Sequence, residues 1–249
     1  MAEGRRVAVV TGGASGIGLA IVQHLLAEGW AVVAADYNAA ASDALRASAA
    51  KDSPLRVVTA DIGTPEGARA AVDAAISVFG RLDLLCNNAA VHPLETIEEH
   101  RLETWRDTFR VNVDGTMLCS QAAIPHMKAA GGAIVNIGSI SGVAPYARGA
   151  AYAASKAAVA MLTRVLALEA GPFGITVNCI APGAIRHGER PANEPPPSNI
   201  PVGRAGTTDD VVHLVSFLVS GKAGYVNGSV IVLDGGATAG RVRAGGRKH

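Results

Sequence analysis

Seven short runs of apolar or β-branched residues, at 6–10, 31–36, 56–60, 82–86, 133–138, 175–180 and 229–233, punctuate this chain of 249 residues. Helical patterns fill the gaps between them. Strands that are apolar on both faces and flanked by helices predict a parallel sheet covered on each side. After the first strand, Ile17, Ala20, Ile21, His24 and Leu25 keep the i, i+3, i+4 rhythm of an amphipathic helix. Thr64-Pro65 reads as an N-cap followed by proline at the first helical position, opening a helix that runs to about Phe79. The alternation continues without a linker or repeat, so the expectation is one α/β domain over 1–249 with its core at about 6–236. Two stretches fall outside the pattern. Residues 186–201 hold five prolines and read as an irregular loop. Residues 241–249 are basic and read as a frayed tail.

Composition narrows the class. Hydrophobic residues make up 49% and charged residues 17%, which a disordered chain does not show. A formal net charge of +1 gives no electrostatic case for nucleic acid or an anionic membrane as partner. No uninterrupted apolar run reaches the ~18 residues of a membrane span, and the residues ahead of the first strand contain no signal-peptide core. Cys86, Cys119 and Cys179 are far apart in apolar segments, which reads as buried free thiols in a reducing, cytoplasmic setting. The seven histidines show no metal-ligand spacing, so no catalytic metal is expected.

The first strand runs directly into Thr11-Gly12-Gly13-Ala14-Ser15-Gly16-Ile17-Gly18 and then into a helix. Glycines allow a tight turn and let backbone N–H groups approach an anion, and a helix N-terminus favours a pyrophosphate. The plainer reading is a glycine-rich turn without a ligand; the glycines fall at 12, 16 and 18 and do not make the G-x-G-x-x-G spacing. Asp36 ends the second strand, where a carboxylate accepts hydrogen bonds from ribose hydroxyls, unless it is only a turn aspartate. A carboxylate there repels a 2′-phosphate, and no Lys or Arg occupies 13–18 or 37–41, which favours NAD over NADP.

Tyr152 and Lys156 stand at i, i+4 on a helix predicted from about 150 to 170, so they share a face. That helix is apolar almost all round, which predicts burial on more than one side. A lysine there needs a polar partner, and an ammonium beside a phenol favours phenolate. A surface Tyr/Lys pair is the alternative. Ser139 follows the strand at 133–138, thirteen residues before Tyr152, and reads either as a substrate-orienting hydroxyl or as a turn former. Asn112 lies within a stripe of Trp105, Phe109, Val113 and Thr116 and needs hydrogen-bond partners if buried.

Taken in this order, TGGASGIG at 11–18, Asp36, Asp61-Ile62, NNAA at 87–90, Asn112, Ser139, Tyr152-x-x-x-Lys156, Pro182-Gly183 and the ending YVNGSVIVLDGG at 225–236 resemble the short-chain dehydrogenase/reductase family. The resemblance implies a single-domain, doubly wound Rossmann-type fold with a seven-stranded parallel sheet. It implies that Gly12, Ser15, Gly16, Ile17 and Gly18 hold the cofactor pyrophosphate and that Asp61 and Ile62 border the adenine. Asn88 and Ala89 would pass close to the cofactor, and Pro182, Gly183 and Ile185 would line the nicotinamide. Ser139 would orient the substrate oxygen, Tyr152 would be the acid/base, Lys156 would bind the ribose and lower the tyrosine pKa, and Asn112 would hold a relay water. Ala90 replaces the family's usual glycine, and His187 stands where a threonine is common. His92 and His187 would border the substrate pocket but are expected to be solvated loop residues. The activity implied is reversible hydride transfer between NAD(H) and a secondary alcohol or ketone, in a homotetramer or homodimer. The alternatives are an NADPH-linked ketoreductase of acyl substrates and a silent dinucleotide-binding sensor.

Overall fold

A computed structural model describes residues 4–186 and 197–240. His187, most of the proline-rich stretch and the basic tail lie outside these residues. Seven parallel strands form one sheet: β1 (Val7–Thr11), β2 (Ala31–Asp36), β3 (Leu55–Thr59), β4 (Leu84–Asn87), β5 (Gly132–Ile137), β6 (Ile175–Pro182) and, after a short pair β7 (Ile185–Arg186) and β8 (Gly206–Thr207), β9 (Val230–Leu233). The order across the sheet is β3-β2-β1-β4-β5-β6-β9. All seven predicted strands are present with bounds within two residues, β6 continuing to Pro182.

The strands are apolar on both faces because both faces are covered. Ala8, Val10, Val32, Ala34, Leu84 and Ile180 pack against α1 (Gly16–Ala27) and α7 (Thr208–Leu218). Val7, Val9, Val33, Leu85, Ile134 and Val177 face α3 (Pro65–Phe79), α5 (Gly115–Met127) and α6 (Ala150–Ala170). Each fully buried Val, Leu or Ile contributes about 1.5–3 kcal/mol, so this alternation by parity largely holds the sheet together. Thr64 caps α3 by accepting from Gly67 N, with Pro65 at the first position, and Gly80 closes the helix at φ +79°.

Two expectations change. The helix at 150–170 is buried on one side only within this chain: Met161, Val165 and Leu168 are exposed, the last at 79%. With Gly171–Phe173 it is long and apolar enough to cross a membrane by length and composition, yet it packs on β6 and carries Lys156 and Thr163 into the core. The stripe around Asn112 is not one α-helix. A π-helical turn, Arg110–Asp114, joins α4 (Leu102–Phe109) to α5 and turns Asn112 fully inward. Such turns are rare and recur at functional sites.

Candidate active site

The chain reverses direction across the sheet between β1 and β4, and a crevice opens there above the carboxyl ends of the strands, where open α/β sheets take ligands. Two cavities share it. One, of about 370 Å³, is bordered by Gly12, Ser15, Gly16, Asp36, Asp61 and Ile62. The other, of about 530 Å³, is bordered by Ser139, Tyr152, Lys156, Pro182, Gly183 and Ile185. Ile17, Asn88 and Ala90 line both, so they form one groove.

The first cavity is built from β1, its loop and the start of α1. Gly12 and Gly16 take φ +62° and +55°, the left-handed region that favours glycine. A Cβ on Gly18 would meet Gly12 O at 2.0 Å, so the helix approaches its own loop as closely as only glycine allows. Ser15 stands at the N-cap position of α1 but its side chain makes no capping hydrogen bond, and the first turn carries no acid. The leading N–H groups of the helix therefore face the cavity with their partial positive charge uncancelled, which fits the pyrophosphate of a dinucleotide. Asp36 is a turn aspartate that accepts from Asn38 N (3.0 Å), and it also accepts from Ala14 N (3.1 Å) and borders the cavity.

The sequence reading assigned no role to three groups here, although Thr11 and Asn87 belong to its motifs. Thr11 Oγ1 accepts from both Asn88 N and Ala89 N (3.0 and 3.1 Å), and Asn88 Nδ2 donates to Thr11 O and Gly12 O. Thr11 thus ties the glycine loop to the end of β4; a polar residue closing an apolar strand is the signal for it. Asn87, Asn136 and Thr163 form a buried chain beneath the site, with Asn87 Nδ2 donating to Asn136 Oδ1 and Asn136 Nδ2 to Thr163 Oγ1, both at 2.9 Å. Arg110 also borders the first cavity, but Asp61 (2.7 Å) and Asp107 (2.8 Å) engage its guanidinium. No local pattern announces the Asp61 contact, because the partners are 49 residues apart.

The second cavity brings Ser139, Tyr152 and Lys156 together from the end of β5 and the first turns of α6. Ser139 Oγ donates to Ser141 Oγ (3.0 Å) and accepts from Ser141 N (3.1 Å). Lys156 Nζ donates to Ile137 O at 2.7 Å and lies 5.6 Å from the Tyr152 ring centre. The polar partner expected for this buried lysine is therefore a strand-end carbonyl. Burial pushes the Lys156 ammonium down to about 8 and pushes the Tyr152 phenol up, a rise that a hydrogen bond with Ser139 partly offsets. Lys156 is not among the groups that shift the Tyr152 phenol in this geometry; burial and the neighbouring Tyr146 raise it.

Asn112 does not touch Lys156. Its Oδ1 accepts from Val91 N (2.8 Å), and its Nδ2 donates to Val91 O (3.0 Å) and Ser155 Oγ (2.9 Å). It clamps the loop after β4 against α6. That loop carries His92, an exposed loop residue as expected, whose ring lies 4.1 Å from the Tyr152 ring and whose Nε2 hydrogen-bonds the Tyr146 hydroxyl. Among the described residues no cluster of metal ligands occurs. The three cysteines are free and buried, as expected.

Comparisons with known proteins agree with this architecture. A family model described as Enoyl-(Acyl carrier protein) reductase matches residues 12–238. The chain is 36% identical to trans-4-hydroxycyclohexanecarboxylate dehydrogenase of Sinomonas cyclohexanicum, over 94% of this chain and 93% of the relative. It is 34% identical to meso-2,3-butanediol dehydrogenase of Serratia marcescens, over 94% and 95%. The crystal structure of an acetoin dehydrogenase from Salmonella typhimurium superposes with a TM-score of 0.86 at 34% identity, covering 96% of this chain and 99% of that one. With a seven-stranded parallel sheet, a glycine loop at its switch point and relatives matched over more than nine-tenths of their length, the chain belongs to the short-chain dehydrogenase/reductase family.

Proposed function

We propose that this oxidoreductase, a single dinucleotide-binding and catalytic domain, interconverts a secondary alcohol and a ketone with NAD(H), using Tyr152 as its acid/base. The observation that carries the reading is the convergence of Ser139, Tyr152 and Lys156 on one cavity continuous with the glycine loop. A bound nicotinamide dinucleotide supplies the hydride acceptor for oxidation and the donor for reduction. In oxidation, the Tyr152 phenolate takes the hydroxyl proton as the carbinol C–H bond gives up its hydride; in reduction the Tyr152 hydroxyl returns the proton to the ketone oxygen. Ser139 holds that oxygen by a hydrogen bond. Lys156 keeps one hydrogen bond on Ile137 O and offers its remaining N–H donors to the ribose and the tyrosine. Asn112 acts by holding Val91 and Ser155, and so the loop after β4 against α6.

Asp36 supports NAD as the partner. A 2′-phosphate beside its carboxylate meets repulsion on the order of 4 kcal/mol per unit charge at close range, and Arg110 is already engaged by two carboxylates. The relatives are named as dehydrogenases of hydroxycyclohexanecarboxylates, of a butanediol and of hydroxysteroids, which supports a secondary alcohol or its ketone as substrate. Buried free thiols support a reducing, cytoplasmic setting, and the exposed apolar strip on α6 supports a homotetramer or homodimer. The test is a panel of secondary alcohols and ketones followed by NADH absorbance. NADH formed from at least one secondary alcohol supports the reading; turnover with NADP alone, or with none of the panel, contradicts it.

A further inference from the structure

The wall of the second cavity facing Tyr152 is more polar than hydride transfer at a single carbinol requires. Ser139 and Tyr152 already provide for the reacting oxygen. Ile140, Ala144 and Ile185 make part of the remainder apolar, but His92 and Tyr146 add an imidazole and a second phenol. The His92 ring lies 4.1 Å from the Tyr152 ring and 6.1 Å from that of Tyr146, and His92 Nε2 and the Tyr146 hydroxyl share a hydrogen bond.

Both side chains are held in place by the fold. Asn112 fixes Val91, Glu95 N donates to Arg148 O (3.0 Å), and Arg148 Nη2 donates to Leu94 O (3.3 Å), so the loop bearing His92 is stitched at both ends. Arg148 itself takes φ +69°, unusual for a residue with a side chain. The Tyr146 ring lies over Gly149, where a Cβ would meet its Cε2 at 2.8 Å, so only glycine lets the ring lie that close ahead of α6. Burial and the nearby Lys156 ammonium keep His92 below the usual histidine range, so at neutral pH its ring has one donor and one acceptor nitrogen. A phenol has one donor and two acceptor positions, so Tyr146 keeps capacity beyond its bond to His92.

Building on the hydride-transfer reading above, we propose that His92 and Tyr146 are specificity-determining residues that bind a second oxygen on the carbon next to the reacting one, and that the substrate class is therefore a vicinal diol or α-hydroxy ketone. A site built to hydrogen-bond a substrate oxygen discriminates against the analogue that lacks it.

The experiment uses pairs that differ only in that oxygen: butane-2,3-diol against butan-2-ol, and cyclohexane-1,2-diol against cyclohexanol. NADH formation is measured for the full-length protein and for His92→Phe, which keeps a ring against Tyr152, and Tyr146→Phe, which removes only the hydroxyl. The expected result is a kcat/KM for the diols about tenfold or more above the simple alcohols, the worth of a hydrogen bond or two. In each variant that ratio collapses towards one, chiefly through KM. Equal kcat/KM for diol and simple alcohol in the wild type overturns this proposal and leaves the hydride-transfer reading intact. A ratio that both variants retain, because they lose both substrates alike or neither, also overturns it, because the pair then only supports Tyr152. Turnover of none of the four alcohols overturns the hydride-transfer reading and this proposal together.

Discussion

At the scale of single residues, the cofactor end and the reacting end of the groove are governed by different physics. Asp36 acts by charge: it is the carboxylate that closes β2 beside the first cavity. Asp36→Ala is expected to reduce the preference for NAD over NADP at least tenfold, measured as the ratio of kcat/KM values; an unchanged ratio removes the ribose role. Tyr152 and Lys156 act through burial, which raises the phenol and lowers the ammonium to about 8. The base form of Tyr152 therefore gains population as pH rises, and alcohol oxidation should climb from pH 7 to 9. Ketone reduction, which uses the protonated phenol and the Lys156 ammonium, should instead fall as pH rises through about 8. Parallel profiles in both directions would contradict this assignment. The residue types of this site were legible in the sequence, because Tyr152, Lys156 and Ser139 are separated by short, fixed spacings. What they touch was not. Asn112 meets Val91 and Ser155, 21 and 43 positions away, and only the folded chain brings those groups together.

At the scale of elements, the strands were the most legible feature, because apolar runs between helices have few alternatives once both faces must be covered. The π-helical turn at Arg110–Asp114 was not, since one added residue in a turn leaves no mark on a 3.6-residue rhythm. The other departure lies on α6. Its inward face carries Ser155, Lys156, Val159 and Thr163, while Met161, Val165 and Leu168 form an exposed apolar strip. An apolar helix thus signalled two burials, of which this chain shows one. Val165→Glu with Leu168→Glu should shift the protein to a lower oligomeric state in sedimentation equilibrium, because each charge opposes burial by several kcal/mol. An unchanged mass would place any self-association elsewhere.

At the scale of the molecule, the fold joins two cavities, of about 370 and 530 Å³, above the point where strand order reverses. The first is shaped by glycines and an uncapped helix N-terminus, the second by polar side chains from β5, α6 and the loop after β4. Their union through Ile17, Asn88 and Ala90 makes one groove that runs from Asp36 to Tyr152. The central claim is that Tyr152 moves the proton while the rest of the groove binds. The most direct measurement compares Tyr152→Phe with the wild type in NADH binding, by fluorescence titration, and in turnover of one accepted alcohol. NADH affinity is expected to stay within about threefold of the wild type. Turnover is expected to fall by about a hundredfold to ten-thousandfold, the usual contribution of a positioned acid/base. Retained turnover in the phenylalanine variant would contradict the claim.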